Sequence, residues 1–368
     1  MRRCQFAILI VLLVGNVFGC TEKKLTQTKT EDQNETTLKD TVPPLIILNA
    51  ERDLIIEVGT EVDLTSGLIG LDNVDNNITT SVIIDDGGFT NTIIGKYTIM
   101  YYLQDHDGNE AESIMRTITV IDSKNAKLVA HRGGKGAGLE NTKEAFINAI
   151  EKGYYGVECD IQPTKDNQII LWHDLTFKNY GYDDRFIKDM NFDEIKDYVL
   201  TKKETDGIIY TGKILLFSEF LQIIKNSHTK AFIELKESNS RETVDLILNE
   251  IDKSGIDWDQ IVIIANSASI DLLVYLRSLY SNAKLQFVAR TDYQNYMQTC
   301  IDNKIDLDIS STCFDDNHVL ANGYLQLFHD NGLEVNIWVI NKPKDLMKYL
   351  VLGANYITTD SLIPGEVE

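Results

Sequence analysis

The chain has 368 residues, of which 43% are hydrophobic, 25% are charged and only 5 are proline, a composition typical of a globular protein with room for two domains. Its formal net charge of -21 at pH 7 excludes a nucleic-acid partner, because binding to a phosphate backbone relies on a concentrated basic surface. An acidic chain can still bind a single phosphodiester, provided that a cation or a local cluster of Arg and Lys receives it.

Residues 1–19 have the pattern of an export signal. A basic start, Met1-Arg2-Arg3, precedes an apolar run at 6–14 that is too short to span about 30 Å of hydrocarbon. Val17-Phe18-Gly19-Cys20 resembles the lipobox of bacterial lipoproteins, which implies cleavage before Cys20 and lipidation of its thiol. We therefore expect a protein anchored by lipid to a membrane of the bacterial cell envelope, periplasmic or surface-exposed. An ordinary secretory signal with an incidental cysteine is the alternative.

Two segments precede the main body of the chain. Residues 20–43 hold almost no large apolar side chains and are interpreted as a flexible linker. Residues 44–122 show short runs of period-two alternation punctuated by Asp, Asn and Gly, which predicts a small β-sandwich. The stretch at 95–105, followed by Asp107-Gly108-Asn109, resembles bacterial immunoglobulin-like modules. We interpret this domain as a spacer, because its acidic turn residues are also ordinary turn formers; a calcium or glycan site is the alternative.

From residue 127 to 368 the pattern alternates between apolar strands and amphipathic helices. Repeated βα units over this length predict an α/β domain, a (β/α)8 TIM barrel, although periodicity alone leaves an open doubly wound sheet as the alternative. A further run at 168–174 is interpreted as a hairpin partner of the second strand. The eight candidates for parallel strands are 127–130, 155–161, 231–235, 261–266, 285–289, 305–310, 334–340 and 355–360.

The residues able to carry chemistry fall at the carboxyl ends of these strands, where barrel enzymes assemble their sites. Glu158 and Asp160 are two residues apart on one strand, so their side chains share a face, and Glu234 repeats the arrangement with Lys236. Three converging carboxylates repel one another unless a cation holds them, and a hard divalent ion such as Ca²⁺ or Mg²⁺ prefers oxygen ligands. The sequence therefore predicts a metal site; salt bridges such as Glu234 with Lys236 are the alternative.

Two histidines stand next to that predicted ion. Cleavage of a phosphodiester takes a proton from the attacking oxygen and gives one to the leaving alcohol, and His131 and His173 can do both near neutral pH. Arg132 and Lys236 would stabilise the charge on the phosphate oxygens. Removal of Cys4 and lipidation of Cys20 would leave three free cysteines, Cys159, Cys300 and Cys313, an odd and widely spaced set that makes no disulfide framework; all three are predicted to be buried thiols.

The chain contains a series of short motifs in a fixed order: His131-Arg132-Gly133, Glu140-Asn141-Thr142, Glu158-Cys159-Asp160, His173-Asp174, Glu234-Leu235-Lys236, and Asn336 to Asn341 with Gly353 and Thr359-Asp360. Taken together, these motifs resemble the glycerophosphodiester phosphodiesterase family over residues 127–364. The resemblance implies metal ligands at Glu158, Asp160 and Glu234, an acid/base pair at His131 and His173, phosphate contacts at Arg132 and Lys236, and a substrate pocket that includes Glu140 and Trp338.

The resemblance implies metal-dependent hydrolysis of a small-molecule glycerophosphodiester to sn-glycerol 3-phosphate and an alcohol. No protein partner is predicted; the expected contacts are the substrate, a divalent ion and, through the lipid, a membrane. A related phospholipase of the phosphatidylinositol-type phospholipase C kind is the first alternative, separable by its action on micellar lipid. The second is a non-catalytic envelope binding lipoprotein. The intact set of histidines and carboxylates argues against it, because a binding protein could have lost any of these residues without cost to the fold.

Overall fold

The computed structural model describes residues 39–134, 138–203, 207–236, 239–290, 293–314 and 319–366. The predicted signal peptide, Cys20 and most of the predicted linker lie outside these residues. None of the helices in the described ranges has the length and apolar character needed to cross a membrane.

The first structural unit is a two-sheet β-sandwich, as predicted. One sheet has the order β1-β3-β4 and the other β2-β7-β6-β5. Inward-facing residues of β6 and β7, such as Ile99, Tyr101 and Ile118, are fully buried between the sheets. Tyr101 also donates a hydrogen bond of 3.0 Å from its hydroxyl to the carbonyl of Leu64. The strands are β1 (Leu45–Leu48), β2 (Asp53–Glu57), β3 (Leu68–Asp72), β4 (Asn76–Asn77), β5 (Ile83–Asp85), β6 (Gly95–Tyr102) and β7 (Ile114–Ile121).

The second unit alternates strands and helices along the chain. Its strands are β8 (Leu128–Ala130), β9 (Gly156–Pro163), β10 (Ile169–Leu171), β11 (Val199–Lys203), β12 (Ile209–Lys213), β13 (Leu215–Leu216), β14 (Lys230–Leu235), β15 (Ile261–Asn266), β16 (Lys284–Ala289), β17 (Asp306–Ser310), β18 (Val335–Trp338) and β19 (Tyr356–Thr359). Its helices are α1 (Lys143–Glu151), α2 (Phe192–Ile195), α3 (Phe217–Lys225), α4 (Arg241–Ser254), α5 (Ile270–Leu279), α6 (Met297–Asp302), α7 (Val319–Asp330) and α8 (Pro343–Val351).

Eight of these strands close into a parallel barrel. The order around the barrel is β8, β9, β14, β15, β16, β17, β18, β19, and β19 pairs in parallel with β8 to complete the ring. Closure excludes the open doubly wound sheet and confirms the predicted barrel. The strand β10 pairs antiparallel with β9, as the hairpin interpretation of that segment requires.

Local signals in the sequence set where the helices begin and end. Ser240 caps α4, accepting a hydrogen bond of 3.3 Å at its hydroxyl from the backbone N–H of Thr243. Gly255 ends the same helix in the left-handed conformation, at φ 65°, which glycine adopts without steric cost. Pro343 starts α8, where its missing N–H removes no helical hydrogen bond.

Alternation along the barrel strands separates two layers of side chains. On β9, Val157, Cys159 and Ile161 pack outward into the large core between barrel and helices, so Glu158 and Asp160 point inward. Cys300 and Cys313 are buried in the same outer core, which confirms the prediction for all three thiols. The inward layer is filled by a smaller apolar cluster made of Val129, Phe232, Val262, Ile264, Val288 and Tyr356.

The segment between β10 and β14, which lies between His173 and Glu234 in the chain, has its own apolar core. Trp172, Phe177 and Met190 are buried there together with Ile195 and Leu200. The antiparallel hairpin β11–β12 belongs to this segment. Lys202 of β11 lies with its Nζ 3.5 Å from Glu140 Oε2, so the insertion contacts the loop that follows the first barrel strand.

Candidate active site

A cavity of about 120 Å³ opens at the carboxyl ends of the barrel strands. The structure brings seven of the nine residues predicted for the site to its lining: His131, Arg132, Glu158, His173, Glu234, Lys236 and Trp338. Of the other two, Asp160 lies buried beneath the cavity among these side chains, and Glu140 contacts Arg132 from outside the lining. The site forms from separate segments because the strands that carry them all end at one rim of the barrel.

The carboxylates of Glu158, Asp160 and Glu234 form a cluster in which one oxygen of each lies within 4.8 Å of the others. Parallel pairing of β9 with β14 sets Glu234 directly beside Asp160 in register. The two strands therefore present their acidic residues at the same height, on the inward face. We interpret this convergence as the consequence of register together with the two-residue period of a strand.

The cationic side chains of Lys236 and Arg132 partly neutralise the carboxylate cluster. Lys236 Nζ lies 3.1 Å from Asp160 Oδ1 and 3.1 Å from Glu234 Oε1, and Arg132 Nε lies 3.4 Å from Asp160 Oδ2. Burial alone would raise the pKa of Asp160, but the charges of Lys236 and then Arg132 hold that pKa well below its ordinary value. Asp160 is therefore the carboxylate of the cluster that stays ionised.

Glu158 is placed differently from Asp160. Its Oε2 accepts a hydrogen bond of 2.9 Å from the backbone N–H of Arg132, whereas its buried Oε1 has no hydrogen-bond partner among the described residues. Burial, followed by the charges of Asp160 and Glu234, raises the pKa of Glu158 well above its ordinary value. An orphaned acceptor in a cluster of carboxylate oxygens fits a hard divalent cation, which takes oxygen ligands. These three residues are the group that could hold such an ion.

The loop after β8 adopts a backbone conformation that its sequence permits. Arg132 has φ 54° and Gly133 has φ 88°, both in the left-handed region. A Cβ at Gly133 would lie 2.7 Å from the Cβ of Ala145 on α1, so the loop packs directly against that helix. This close approach fixes the position of His131 and Arg132 at the rim.

Each histidine is oriented by an aspartate. His131 Nδ1 lies 2.8 Å from Asp360 Oδ1, and His173 Nδ1 lies 2.8 Å from Asp174 Oδ1. A carboxylate on Nδ1 favours the tautomer with the proton there and leaves Nε2 for exchange with a ligand. Burial, reinforced by the charges of Lys236 and Arg132 and opposed by Asp160, lowers the pKa of His173 below its ordinary value.

Glu140 and Trp338 have separate roles in the structure. Glu140 Oε1 accepts from Arg132 Nη1 at 3.3 Å, so this carboxylate orients the arginine. Trp338 forms part of the cavity wall, with its indole N–H donating to the carbonyl of Asp308 at 3.2 Å. The guanidinium of Arg290 lies over the Trp338 ring, 5.3 Å from its centroid.

The sequence did not assign roles to several residues that build the site. Asn141 donates from Nδ2 to Asp160 Oδ2 at 2.9 Å and accepts at Oδ1 from the backbone N–H of Asp160 at 3.2 Å. Asn341 makes the same kind of pair with Asp360, donating to Oδ2 at 3.0 Å and accepting from the backbone N–H at 2.8 Å. Asn is tolerant of the positive φ of 58° seen at position 141. For Asn141, the available signal in the sequence was its place in the Glu140-Asn141-Thr142 motif.

A parallel (β/α)8 barrel with carboxylates, two aspartate-oriented histidines and the cationic side chains of Arg132 and Lys236 at its carboxyl rim has the groups needed to hydrolyse a phosphoric ester. Residues 131–363 match the glycerophosphoryl diester phosphodiesterase family, and the chain belongs to that family. It is a phosphoric diester hydrolase. Residues 46–120 match the Ig-like domain of bacterial surface proteins, in agreement with the sandwich upstream of the barrel.

Known proteins resemble the barrel portion of the chain. The chain is 26% identical over 236 residues to uncharacterized protein YqiK of Bacillus subtilis, covering 64% of this chain and 94% of that protein. It is 35% identical over 115 residues to a glycerophosphodiester phosphodiesterase of Bacillus altitudinis, covering 30% and 46% respectively. A solved phosphodiesterase of Oleispira antarctica, in complex with the product sn-glycerol-3-phosphate, shares the fold with a TM-score of 0.53 at 19% identity, covering 66% of this chain and 94% of that one.

The raised pKa of Glu158 predicts a stability effect that depends on pH. In EDTA, Glu158→Gln should unfold at a higher temperature than the wild type, by a margin that grows from pH 5 to pH 8. The protonated carboxyl stabilises the fold fully below the ordinary pKa of Glu, about 4.3, and this contribution is lost as pH rises through the raised folded-state pKa, while Gln stays neutral. Each kcal/mol corresponds to roughly 2–4 °C for a domain of this size.

Thermal unfolding followed by circular dichroism at four pH values measures the margin. Glu144→Gln, on the exposed side of α1, is the matched control and should give no margin that grows with pH. A wild type that is more stable than Glu158→Gln at pH 8 in EDTA would contradict the expectation.

Proposed function

We propose that this enzyme hydrolyses glycerophosphodiesters to sn-glycerol 3-phosphate and an alcohol, using a divalent cation and two histidines. One observation carries the proposal. Both His–Asp pairs, the carboxylate cluster and the cationic side chains of Arg132 and Lys236 converge on one cavity. Family membership supports the substrate class, and so does the Oleispira antarctica relative, whose structure holds sn-glycerol-3-phosphate.

The substrate phosphate would be received by Arg132 and Lys236. Both side chains are largely buried and already face the cavity, so they form the local cationic cluster that a chain of net charge -21 needs. Burial opposes the charged form of each, but the neighbouring carboxylates, Asp160 foremost, raise the pKa of both. Both therefore remain cationic at neutral pH.

Glu158, Asp160 and Glu234 would hold the divalent cation, for which Ca²⁺ or Mg²⁺ is the candidate because all three residues offer carboxylate oxygens. When bound, the cation supplies Lewis-acid stabilisation of negative charge on the reacting phosphate. Lys236 bridges Asp160 and Glu234, and this bridge keeps their oxygens together and limits their mutual repulsion. Asn141 holds Asp160 in place from the opposite side.

The two histidines would divide the proton transfers. One accepts at Nε2 the proton of the attacking oxygen, which comes from water or from a neighbouring substrate hydroxyl, as that oxygen bonds to phosphorus. The other donates its proton to the bridging oxygen as the bond from phosphorus to the alcohol breaks. When water attacks, this step consumes it and yields a phosphomonoester and an alcohol. When a substrate hydroxyl attacks, the step yields a cyclic phosphodiester and an alcohol, and a second step, in which water bonds to phosphorus and one ring P–O bond breaks, yields the phosphomonoester. Asp174 and Asp360 keep Nδ1 protonated in each ring.

Release of sn-glycerol 3-phosphate tests the function. The soluble chain starting at Thr21 should hydrolyse glycerophosphocholine and glycerophosphoethanolamine with Ca²⁺ or Mg²⁺, and EDTA should lower kcat by roughly 100-fold or more, since Lewis-acid stabilisation contributes several kcal/mol. Glu234→Gln should weaken the response to added metal. Hydrolysis confined to micellar phosphatidylinositol would favour the phospholipase alternative, and no turnover of any diester would overturn the proposal.

Variants at the two histidines test the division of labour. Alanine at His131 or His173 should lower kcat/KM for glycerophosphocholine by roughly 10²–10⁴-fold. Bis(4-nitrophenyl) phosphate releases a stable phenolate that needs no proton, so the variant lacking the acid should recover most of the rate on this substrate while the other does not. His228→Ala, at an exposed position, is the control and should match the wild type. Equal losses on both substrates for both variants would contradict the scheme.

We further propose that the mature chain is anchored through a lipid on Cys20. The supporting observations are the basic and apolar start of the chain and the Val17–Cys20 motif. The segment 21–43 would then act as a tether, reaching at most about 80 Å from the bilayer when fully extended.

Expression of the full chain in a bacterium tests the anchor. The wild type should appear in the membrane fraction and incorporate a radiolabelled fatty acid, whereas Cys20→Ser should lose the label and move to the soluble envelope fraction. Cys4→Ser is the control, because Cys4 lies within the segment expected to be removed. Labelling of Cys20→Ser to the wild-type level would contradict the proposal.

A further inference from the structure

Asp308 is a buried carboxylate that has no role in the proposed reaction. It lies on β17, is only 5% exposed, and its side chain forms part of the cavity lining. Its Oδ1 is fully buried and has no hydrogen-bond partner among the described residues. Asp306, two residues earlier on the same face, is different: its Oδ1 accepts a hydrogen bond of 2.9 Å from the backbone N–H of Glu334.

The absence of a partner makes Asp308 costly to the fold. A buried polar group without a hydrogen bond loses its hydration and gains nothing in exchange, so buried polar groups in native proteins are nearly always paired. Burial, followed by the charge of Glu234, raises the pKa of Asp308 well above its ordinary value. The chain retains this carboxyl at a cost to stability, and the carboxyl faces the cavity. Its retention is explained if the substrate supplies the missing hydrogen-bond donor.

The position of Asp308 indicates which part of the substrate reaches it. Its strand β17 is four strands from β9 around the ring of eight, so Asp308 faces Glu158 and Asp160 from the opposite wall. The phosphate contacts and both histidines lie on the side of β8, β9 and β14. A diester bound there must direct one of its two ester arms across the cavity.

The wall around Asp308 is suited to a small arm with one polar end. Trp338 is held next to it, because its indole N–H donates to the Asp308 carbonyl, and Val288 is paired in register with Asp308 on the other side. Both neighbours face the cavity. The subsite therefore combines two apolar surfaces with the unpaired Oδ1 of Asp308, and the guanidinium of Arg290 covers the Trp338 ring at the same rim.

We propose that Asp308 is a specificity-determining residue, which accepts a hydrogen bond from a donor on the ester arm that lies opposite the metal-binding carboxylates. The inference rests on the proposed function and names the chemistry that its substrate must carry. The donor is a hydroxyl or an ammonium group. The first belongs to the glycerol arm, and the second belongs to the alcohol arm of a diester such as glycerophosphoethanolamine.

Steady-state kinetics of Asp308→Leu and Asp308→Asn test the proposal. Leucine removes the acceptor and keeps the branching and the number of side-chain heavy atoms, and asparagine keeps one acceptor oxygen. Asp308→Leu should lower kcat/KM for glycerophosphoethanolamine roughly 10–100-fold, as expected for a lost hydrogen bond to a substrate, and Asp308→Asn should recover most of the loss. Bis(4-nitrophenyl) phosphate, which has no donor on either arm, should be hydrolysed by Asp308→Leu at the wild-type rate.

Comparison of two substrates identifies the arm. Choline carries no N–H, so a loss on glycerophosphoethanolamine without a loss on glycerophosphocholine assigns the ammonium, and equal losses on both assign a glycerol hydroxyl. Either result supports the proposal. An equal loss on bis(4-nitrophenyl) phosphate, or no loss on any substrate, overturns it.

Stability separates a substrate contact from a structural role. Asp308→Leu should unfold at or above the wild-type temperature, since it removes an unpaired buried carboxyl, whereas Asp306→Leu should unfold at a lower temperature because it removes a hydrogen bond. A lower unfolding temperature for Asp308→Leu would indicate a structural residue and would overturn the proposal.

Ligand binding keeps the inference testable if the proposed activity fails. sn-Glycerol 3-phosphate and inorganic phosphate should each raise the unfolding temperature of the wild type with metal present. If Asp308 contacts the glycerol arm, Asp308→Leu should lose the additional shift from sn-glycerol 3-phosphate and keep the shift from phosphate; phosphoethanolamine replaces sn-glycerol 3-phosphate in the test for the ammonium. Unchanged shifts with both esters would overturn the inference even if no diester is hydrolysed.

Discussion

The carboxylates of Glu158, Asp160 and Glu234 lie close together in a place from which most water is excluded, and their mutual repulsion is the constraint around which the barrel mouth is built. Lys236 and Arg132 offset part of this repulsion, but two cations cannot fully pair with three anions. The buried Oε1 of Glu158 is what remains unmatched. When all three carboxylates are ionised, the site has a local excess of negative charge, which a divalent cation would balance.

A closed parallel barrel can maintain this excess because the opposing forces are spread over many backbone hydrogen bonds. Glu158 and Asp160 are fixed to β9 and Glu234 to β14, and both strands are paired on both edges. Moving either strand to separate the carboxylates would shift its register. A shift by one residue would turn every apolar side chain of that strand away from the outer core. Burial and this repulsion together raise the pKa of Glu158 and of Glu234, while strand pairing holds both residues in place.

The sequence predicted the barrel and the principal site residues because both depend on short patterns. Period-two spacing put Glu158 with Asp160, and strand ends located His131 and His173. Pairings across long separations in the chain were not accessible: the Asp360 that orients His131 is 229 residues away, and nothing local marks it as a partner. In the sandwich, the five residues of β3, Leu68–Asp72, include a glycine and show no long alternation, so this strand has only a weak local signal.

Asp308 was missed for a different physical reason. In the run at 305–310, Asp306 and Asp308 alternate with apolar residues, and sequence alone cannot tell which of two alternating acids is paired. Only the tertiary structure shows that the backbone N–H of Glu334, the residue before β18, donates to Asp306 Oδ1, whereas no donor reaches Asp308 Oδ1 among the described residues. The neighbouring inward residues Gln286 and Asn336 also each keep one buried acceptor oxygen without a partner among the described residues.

The interior of the barrel is therefore asymmetric. Its floor is apolar, but the wall formed by β16, β17 and β18 presents unpaired acceptors opposite a wall of carboxylates held by cations. The unpaired acceptors on one wall and the Lys236 and Arg132 cations on the other suit a ligand that is anionic at one end and carries hydrogen-bond donors at the other; Arg290, just after β16, adds a cation at the rim of the acceptor wall. A phosphate ester of a polyol or an amino alcohol has this polarity, whereas an aryl phosphate or a hydrocarbon chain does not. The distribution of unsatisfied groups in the described part of the barrel thus narrows the chemistry of the substrate further than the catalytic residues do.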